Sequence, residues 1–296
     1  MSGRRNLRYL FCGAGFLGAA LQAGATDVPA TDRRSGYEFM SRETRAMQDD
    51  DAANPAVLWL QDGEALWNRK VGVADKSCAD CHGEVGKSMK GVAARYPAFD
   101  FSVNRLIDLD QRIKLCREER QKAPPLAYES RELLALSAMV GRQSRGLPIE
   151  ISVPEKAKPL LESGRTAFYR RQGQLNIACS QCHDDNWGKS LAGNPIPQAH
   201  PTGYPIYRLE WQGLGSLQRR LRNCFIGVRA EPWAYGSPEF VELEYYLMWR
   251  ARHEAGDARR QALIFFGRAF GSGWRRLASS ASISDAGQGR QNRKPW

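Results

Sequence analysis

Beyond its first 25 residues this 296-residue chain has no apolar run long enough to cross a bilayer, so nothing in its body reads as a membrane span. A basic face is missing too. The formal net charge is +11, but it sits at the ends of the chain. Residues 1–25 contribute +3 through Arg4, Arg5 and Arg8, and residues 250–296 contribute +7 from ten Lys/Arg and three acids. About +1 is left for residues 26–249. A nucleic-acid footprint needs basic residues clustered on a folded face, and this balance offers none. A phosphate loop is excluded as well. GKS occurs at 86–88 and 188–190, but that motif needs a glycine five residues before the GK pair. Those positions hold Cys81 and His183.

The first 25 residues follow a different rule. They have a basic start, an apolar stretch and a small-residue end at Ala23-Gly24-Ala25. That is the pattern of a secretory signal peptide over residues 1–25, cleaved before Thr26. Cleavage would remove Cys12 and leave about 270 residues, enough for two domains of ordinary size.

Six cysteines then remain, and four of them form a motif written twice: CADCH at 78–82 and CSQCH at 179–183. Cys-x-x-Cys-His is the attachment signature of c-type haem. The spacing puts two thiols on one helical turn, within reach of the two vinyl groups of one porphyrin, and the following imidazole turns toward the iron. The reading is two covalently bound haem c groups, on Cys78 and Cys81 and on Cys179 and Cys182, with His82 and His183 as proximal ligands. A structural zinc site also uses paired cysteines, but it has no need of a histidine directly after each pair. Since c-type haem is attached outside the bacterial cytoplasm, motif and signal peptide together predict a periplasmic protein.

The two motifs are fixed points in a longer repeat. GEALWNRK (63–70) matches GRTAFYRR (164–171) at the offset of 101 that separates the cysteines. Downstream, GKSMKG matches GKSLAG, Tyr96-Pro97 matches Tyr204-Pro205, QRIKLC matches QRRLRNC, and LAYESRELLALSAMV matches WAYGSPEFVELEYYLMW. VPEKAKP (153–159) reads as the linker. Ser130 and Ser237 have the character of helix N-caps, the second followed by Pro238 at the first helical position. Leu133, Leu134, Leu136, Met139 and Val140 follow at helical spacing, as do Phe240, Val241, Leu243, Leu247 and Met248. The expected fold is all-α, two tandem cytochrome c-type domains over 36–152 and 160–255 related by internal duplication.

Each iron has a sixth position to fill. Met89 aligns with Leu191 and reads as core, and Met139 and Met248 fall within apolar helical faces. His200 and His253 have no counterparts and read as surface residues. The remaining candidates are Cys116 and Cys224, which occupy the same place in the two repeats, each four residues after an arginine, Arg112 or Arg220. Two readings stand. A disulfide between them is permitted in an oxidising compartment, but needs Cα atoms within about 7 Å, which equivalent positions in two separate haem domains do not readily offer. The favoured reading makes both thiolates haem ligands, with the low reduction potential that an anionic donor confers.

QRRLRNCFIGVRAEPWAYGSPEFVELEYYLMWRAR, with KLCREERQKAPPLAYES in the first half, closely resembles the A subunit of the SoxAX cytochromes of bacterial thiosulfate oxidation. The resemblance covers residues 35–252, and the Cys224 segment is its most specific part. It implies an L-cysteine S-thiosulfotransferase, in which thiosulfate is joined oxidatively to a cysteine of the SoxYZ carrier protein and two electrons leave through haem. It implies a heterodimer with the small monohaem X subunit. It also implies that Cys224 is the active-site haem ligand, as thiolate or persulfide, that Cys116 is the ligand of the first haem, and that Arg250 is an active-site arginine.

The residues give part of this independently. Thiosulfate is a dianion and needs cationic anchors. Arg220 lies one helical turn before Cys224, on the same face, and a guanidinium suits a sulfonate through paired charge-assisted hydrogen bonds. Haem propionates compete for the same donors at both Arg220 and Arg250. Arg222 and Arg229 are candidates for steering the anion. The alternative function is a dihaem electron carrier without thiosulfate chemistry, which predicts His/Met or His/His ligation. A dihaem peroxidase would need an open sixth site. Residues 277–296 read as a disordered basic tail by composition.

Overall fold

A computed structural model describes residues 28–252. The expected signal peptide (1–25), His253 and the basic tail (277–296) lie outside the described residues. Two 3-10 turns lead into α1 (Arg42–Asp49) and α2 (Val57–Asn68). The loop that follows carries α3 (Ala79–His82) and α4 (Val85–Ser88). An antiparallel ribbon of β1 (Ala98–Asp100) and β2 (Arg105–Ile107) precedes α5 (Leu109–Glu119) and α6 (Arg131–Arg142). A 3-10 turn at Glu155–Ala157 runs directly into α7 (Lys158–Tyr169). The same order then recurs: α8 (Cys179–His183), the small ribbon β3 (Ser190–Leu191) and β4 (Asn194–Pro195), the ribbon β5 (Ile206–Arg208) and β6 (Gly213–Gly215), α9 (Leu217–Gly227) and α10 (Pro238–Arg250).

The helical fold expected from the sequence is found: helices dominate the described residues, accompanied by three short two-stranded antiparallel ribbons that the sequence did not reveal. Their strands are two or three residues long. Two-residue periodicity is what betrays a strand in a sequence, and segments this short display no period.

The helix starts follow from capping chemistry. The amides of Leu133 and Phe240 donate to Ser130 Oγ and Ser237 Oγ at 3.3 and 3.4 Å, and Pro238 occupies the first turn of α10. At α5 the caps are reciprocal. The Gln111 amide donates to Asp108 Oδ1 at 2.7 Å, and the Asp108 amide donates to Gln111 Oε1 at 3.2 Å.

In each half the helix before the CxxCH loop packs on the last helix, α2 on α6 and α7 on α10. Glycine sets how closely they approach. A Cβ at Gly63 would collide with the Ala135 carbonyl, and one at Gly164 with the Glu242 carbonyl. The apolar stripes predicted on α6 and α10 are buried, Met139 and Met248 among them. Each fully buried side chain of this kind contributes roughly 1.5–3 kcal/mol.

The halves do not keep separate cores. Leu106 of β2, with Phe99 of β1 beside it, packs against Val241 and Tyr245 of α10. Reciprocally, Tyr207 of β5 and Leu214 of β6 pack with Trp59 of α2 and Leu134 of α6. The β1–β2 and β5–β6 ribbons thus each complete the helical core of the other half. Hydrogen bonds follow the same seam. Gln218 Nε2 donates to Asp108 Oδ2 at 3.0 Å, Gln111 Nε2 donates to the Gly236 carbonyl at 3.0 Å, and Tyr128 stacks on Tyr235 at 6.1 Å. A cavity of about 100 Å³ lies in the seam, and Asp108, Asp110 and Glu244 line it.

Candidate functional site

The first CxxCH motif is held by its neighbours on both sides. Lys76 pairs with Val71 in an isolated bridge, and its carbonyl accepts from Gln121 Nε2 at 2.9 Å. The Ser77 amide donates to Asp80 Oδ2 at 2.8 Å and the Asp80 amide to Ser77 Oγ at 3.0 Å, which starts α3. Trp67 Nε1 donates to the Gly83 carbonyl at 2.9 Å, which sets its ring 5.8 Å from that of His82. Beside the motif is a cavity of about 600 Å³, lined by Cys78, Cys81 and His82 from one element and by Cys116 of α5 from another. Its walls are largely apolar, with Trp67, Val92, Leu136 and Val140 among them, and arginines enter from α5 and the loops. Two thiols for attachment, an imidazole, a further sulfur able to ligate iron and apolar walls fit a covalently attached haem. Met89, expected in the core, is half-buried and lines this cavity instead. It sits in the turn after α4, where the haem loop leaves little core to enter.

The second site repeats the scheme. Gln172 and Ile177 form the bridge, and the Ala178 amide donates to Gln181 Oε1 at 2.9 Å to start α8. His183 Nδ1 donates to the Pro197 carbonyl at 2.6 Å. That bond fixes the proton on Nδ1 and leaves the lone pair of Nε2 free to bind a metal, the usual arrangement of a metal-binding imidazole. Burial holds its pKa below the ordinary histidine value. Cys224 of α9 is close enough to Cys179 and Cys182 to act on both thiols. Burial pushes the Cys179 thiol up to about 12 and raises that of Cys182, with Cys224 adding to each. In the first site burial likewise raises the Cys116 thiol against the opposing pull of Arg112. All six cysteines of the described residues are free thiols, so Cys116 and Cys224 are not joined. Among the described residues, no cluster of three or more His, Cys, Asp or Glu has the geometry to hold a metal ion. A haem iron needs only two protein donors.

The arginines beside the two cysteines differ. Arg112 is ion-paired through Nη2 to Asp100 Oδ2, and its Nε donates to Tyr96 Oη at 3.2 Å. Arg220, its counterpart, forms no side-chain hydrogen bond or ion pair among the described residues. Burial disfavours its charge, but Cys224, Tyr204 and Glu210 around it favour it and raise its pKa. Glu210 is itself held by Arg208, whose Nε and Nη2 reach Oε1 and Oε2 at 2.9 and 3.2 Å.

Arg250, expected to be an active-site arginine, is fully buried. Its Nη2 donates to Asp184 Oδ1 at 2.6 Å, and its guanidinium lies 4.6 Å from the Phe168 ring. A buried cation requires such partners, and these point it at the residue after His183 rather than at solvent. His200, read as a surface residue, is buried. Of the steering candidates, Arg222 is tied to the Trp233 carbonyl and stacked 4.8 Å from Tyr235, whereas Arg229 is exposed. Asp184, Pro197 and Asp100 are functional neighbours that motif reading missed. The repeat offered a signal for Asp100 alone, since Tyr96-Pro97 marks where its ribbon begins; Asp184 and Pro197 lie before Tyr204-Pro205 and had none.

A family model for the cytochrome c domain of SoxA/TsdA matches residues 62–149. The L-cysteine S-thiosulfotransferase subunit SoxA of Rhodovulum sulfidophilum is 34% identical over 271 residues, covering 84% of this chain and 94% of that one. The subunit of the same name from Pseudaminobacter salicylatoxidans is 36% identical over 223 residues, covering 75% and 78%. The crystal structure of SoxXA from P. pantotrophus superposes with a TM-score of 0.74 at 30% identity, covering 79% of this chain and 87% of that one.

Proposed function

This chain belongs to the SoxA family of L-cysteine S-thiosulfotransferase subunits, and we propose that its second haem site, built around Cys224, is where conjugation takes place. The chain is a thiosulfate-conjugating c-type cytochrome subunit. In our reading it carries two haem c groups, one in each of two tandem units derived by duplication. They are attached through Cys78 and Cys81 and through Cys179 and Cys182, and ligated by His82 with Cys116 and by His183 with Cys224. The reading continues with a SoxX-type monohaem cytochrome as partner, the SoxYZ carrier as the protein substrate, and the periplasm as the compartment. No described helix is long and apolar enough to cross a membrane.

The reaction balances as follows. The outer sulfur of thiosulfate forms an S–S bond to the carrier cysteine, the thiol proton leaves, and two electrons are removed. When bound, haem c supplies the acceptor for those electrons. The protein's own groups do the rest. The Arg220 guanidinium pairs with the sulfonate oxygens and offsets the dianion's charge. Cys224, one turn further along α9, presents its sulfur, as thiolate or persulfide, where the two substrate sulfurs meet. Asp184 and Arg250 act as positioning residues, because their buried ion pair fixes the chain immediately after His183. The exposed Arg229 adds positive charge near the end of α9.

The observation that carries this reading is Cys224 within electrostatic reach of both cysteines of the second motif, with Arg220 one turn before it and without an ion-pair partner among the described residues. Electron paramagnetic resonance of the oxidised holoprotein tests it. Two low-spin thiolate-ligated ferric signals are expected, one of them lost in Cys224→Met. Signals of His/Met or His/His type, unchanged by that substitution, would return the protein to a plain electron carrier, as would full conjugation activity in Cys224→Ala.

A further inference from the structure

The two haem sites present the same side chains to a ligand, a cysteine, an arginine one turn before it and a tyrosine from the Tyr-Pro pair. They differ in what holds the arginine. In the first half the residue three positions after Pro97 is Asp100, at the end of β1, and it ion-pairs with Arg112. The Asp100 side chain is 8% exposed and that of Arg112 is 33% exposed, so the pair is partly withdrawn from water. Tyr96 takes a further bond from the same guanidinium. Arg112 is therefore committed, and a dianion arriving beside Cys116 meets a cation already neutralised.

In the second half the residue three positions after Pro205 is Arg208, at the end of β5. The charge at this position is reversed. Arg208 cannot neutralise Arg220, and it also removes the acid that could. Glu210 is the carboxylate that acts on Arg220, and Arg208 grips both of its oxygens. Arg208 is further fixed by the Trp211 ring, 5.2 Å from its guanidinium. Tyr204, the counterpart of Tyr96, makes no hydrogen bond to Arg220. Arg220, Tyr204 and Cys224 are left within electrostatic reach of one another, with no ion-pair partner for the cation among the described residues.

We propose that the ribbon residue three positions after each Tyr-Pro pair decides which haem site accepts the sulfur oxyanion, Asp100 closing the first and Arg208 holding the second open. This rests on the reading that Arg220 and Cys224 form the substrate site. It makes Arg208 and Asp100 specificity-determining residues for thiosulfate that touch neither the substrate nor the iron.

Calorimetric titration of the haem-loaded protein with thiosulfate tests it. The wild type is expected to bind one thiosulfate per chain, and Asp100→Asn two. In Arg208→Asp, which frees Glu210 and places a carboxylate on the ribbon, affinity is expected to fall about tenfold or more, with the haem absorption spectrum unchanged. The first variant keeps the test sound if the second folds poorly, since a gained binding site is not a product of misfolding. A stoichiometry that stays at one in Asp100→Asn, with wild-type affinity in Arg208→Asp, would overturn the proposal and leave the Cys224 reading intact. Wild-type affinity in Arg220→Ala would bring down both.

Discussion

A single guanidinium can be worth more or less according to what already holds it, and this protein contains both cases. Among the described residues Arg220 has no ion-paired acid, so its interaction free energy is available to a ligand. Replacing it with alanine is expected to lower kcat/KM for thiosulfate about 10- to 100-fold, mostly through KM, since a charge-assisted hydrogen bond contributes about 1.5–3 kcal/mol. A conjugation assay against thiosulfate concentration reads this directly. Arg220→Lys should recover only part of it, because an ammonium lacks the paired donors that match two sulfonate oxygens. Arg250 is the opposite case. It has no exposed surface and is bonded to Asp184. Asp184→Ala would strand a buried cation and is expected to cost about 3–5 kcal/mol of stability, seen as a lower urea midpoint. The sequence showed where both arginines lie relative to the cysteines, but not this difference. Arg220 and Cys224 are neighbours along one helix, so local spacing reveals them. Asp184 and Arg250 are 66 residues apart, and no periodicity connects them.

At the level of elements, the helices were the most legible part of the chain. Serine caps, the proline of α10 and the apolar stripes of α6 and α10 follow from chemistry within a few residues of each other, and all appear as expected. The ribbons were not legible, since three residues cannot show alternation. The helix pairs make a further expectation concrete. Gly63→Ala and Gly164→Ala each insert one methyl group against a backbone carbonyl of the facing helix. Each is expected to destabilise the protein by about 1–3 kcal/mol, with the helix content of the folded form unchanged by circular dichroism. Ser130→Ala and Ser237→Ala should cost about 1 kcal/mol each through loss of the cap.

For the whole molecule, the seam between the halves carries a titration. Burial raises Asp108 from 3.8 to about 6 and Asp110 to about 7, and raises Glu244 as well. The three carboxylates repel one another, with Glu129 adding to the repulsion. Lys114 and Arg105 oppose it, as do the hydrogen bonds from Gln218 and Ser137. These acids hold protons more tightly folded than unfolded. Their favourable contribution is complete below about pH 4 and is lost as pH rises through about 6 to 7. Urea midpoints measured across that window should fall with rising pH, and Asp110→Asn or Glu244→Gln should flatten the slope.

The exchange of ribbons across this seam reaches further than stability. Because Leu106 is seated on α10 and Tyr207 and Leu214 on α2 and α6, the covalent link at 153–157 is not what keeps the halves together. A protease cut there should leave two fragments that run as one particle on a native gel and separate only in denaturant. Expressed singly, neither fragment should fold, whereas mixed together they should reconstitute one another like the two strands of a clasp.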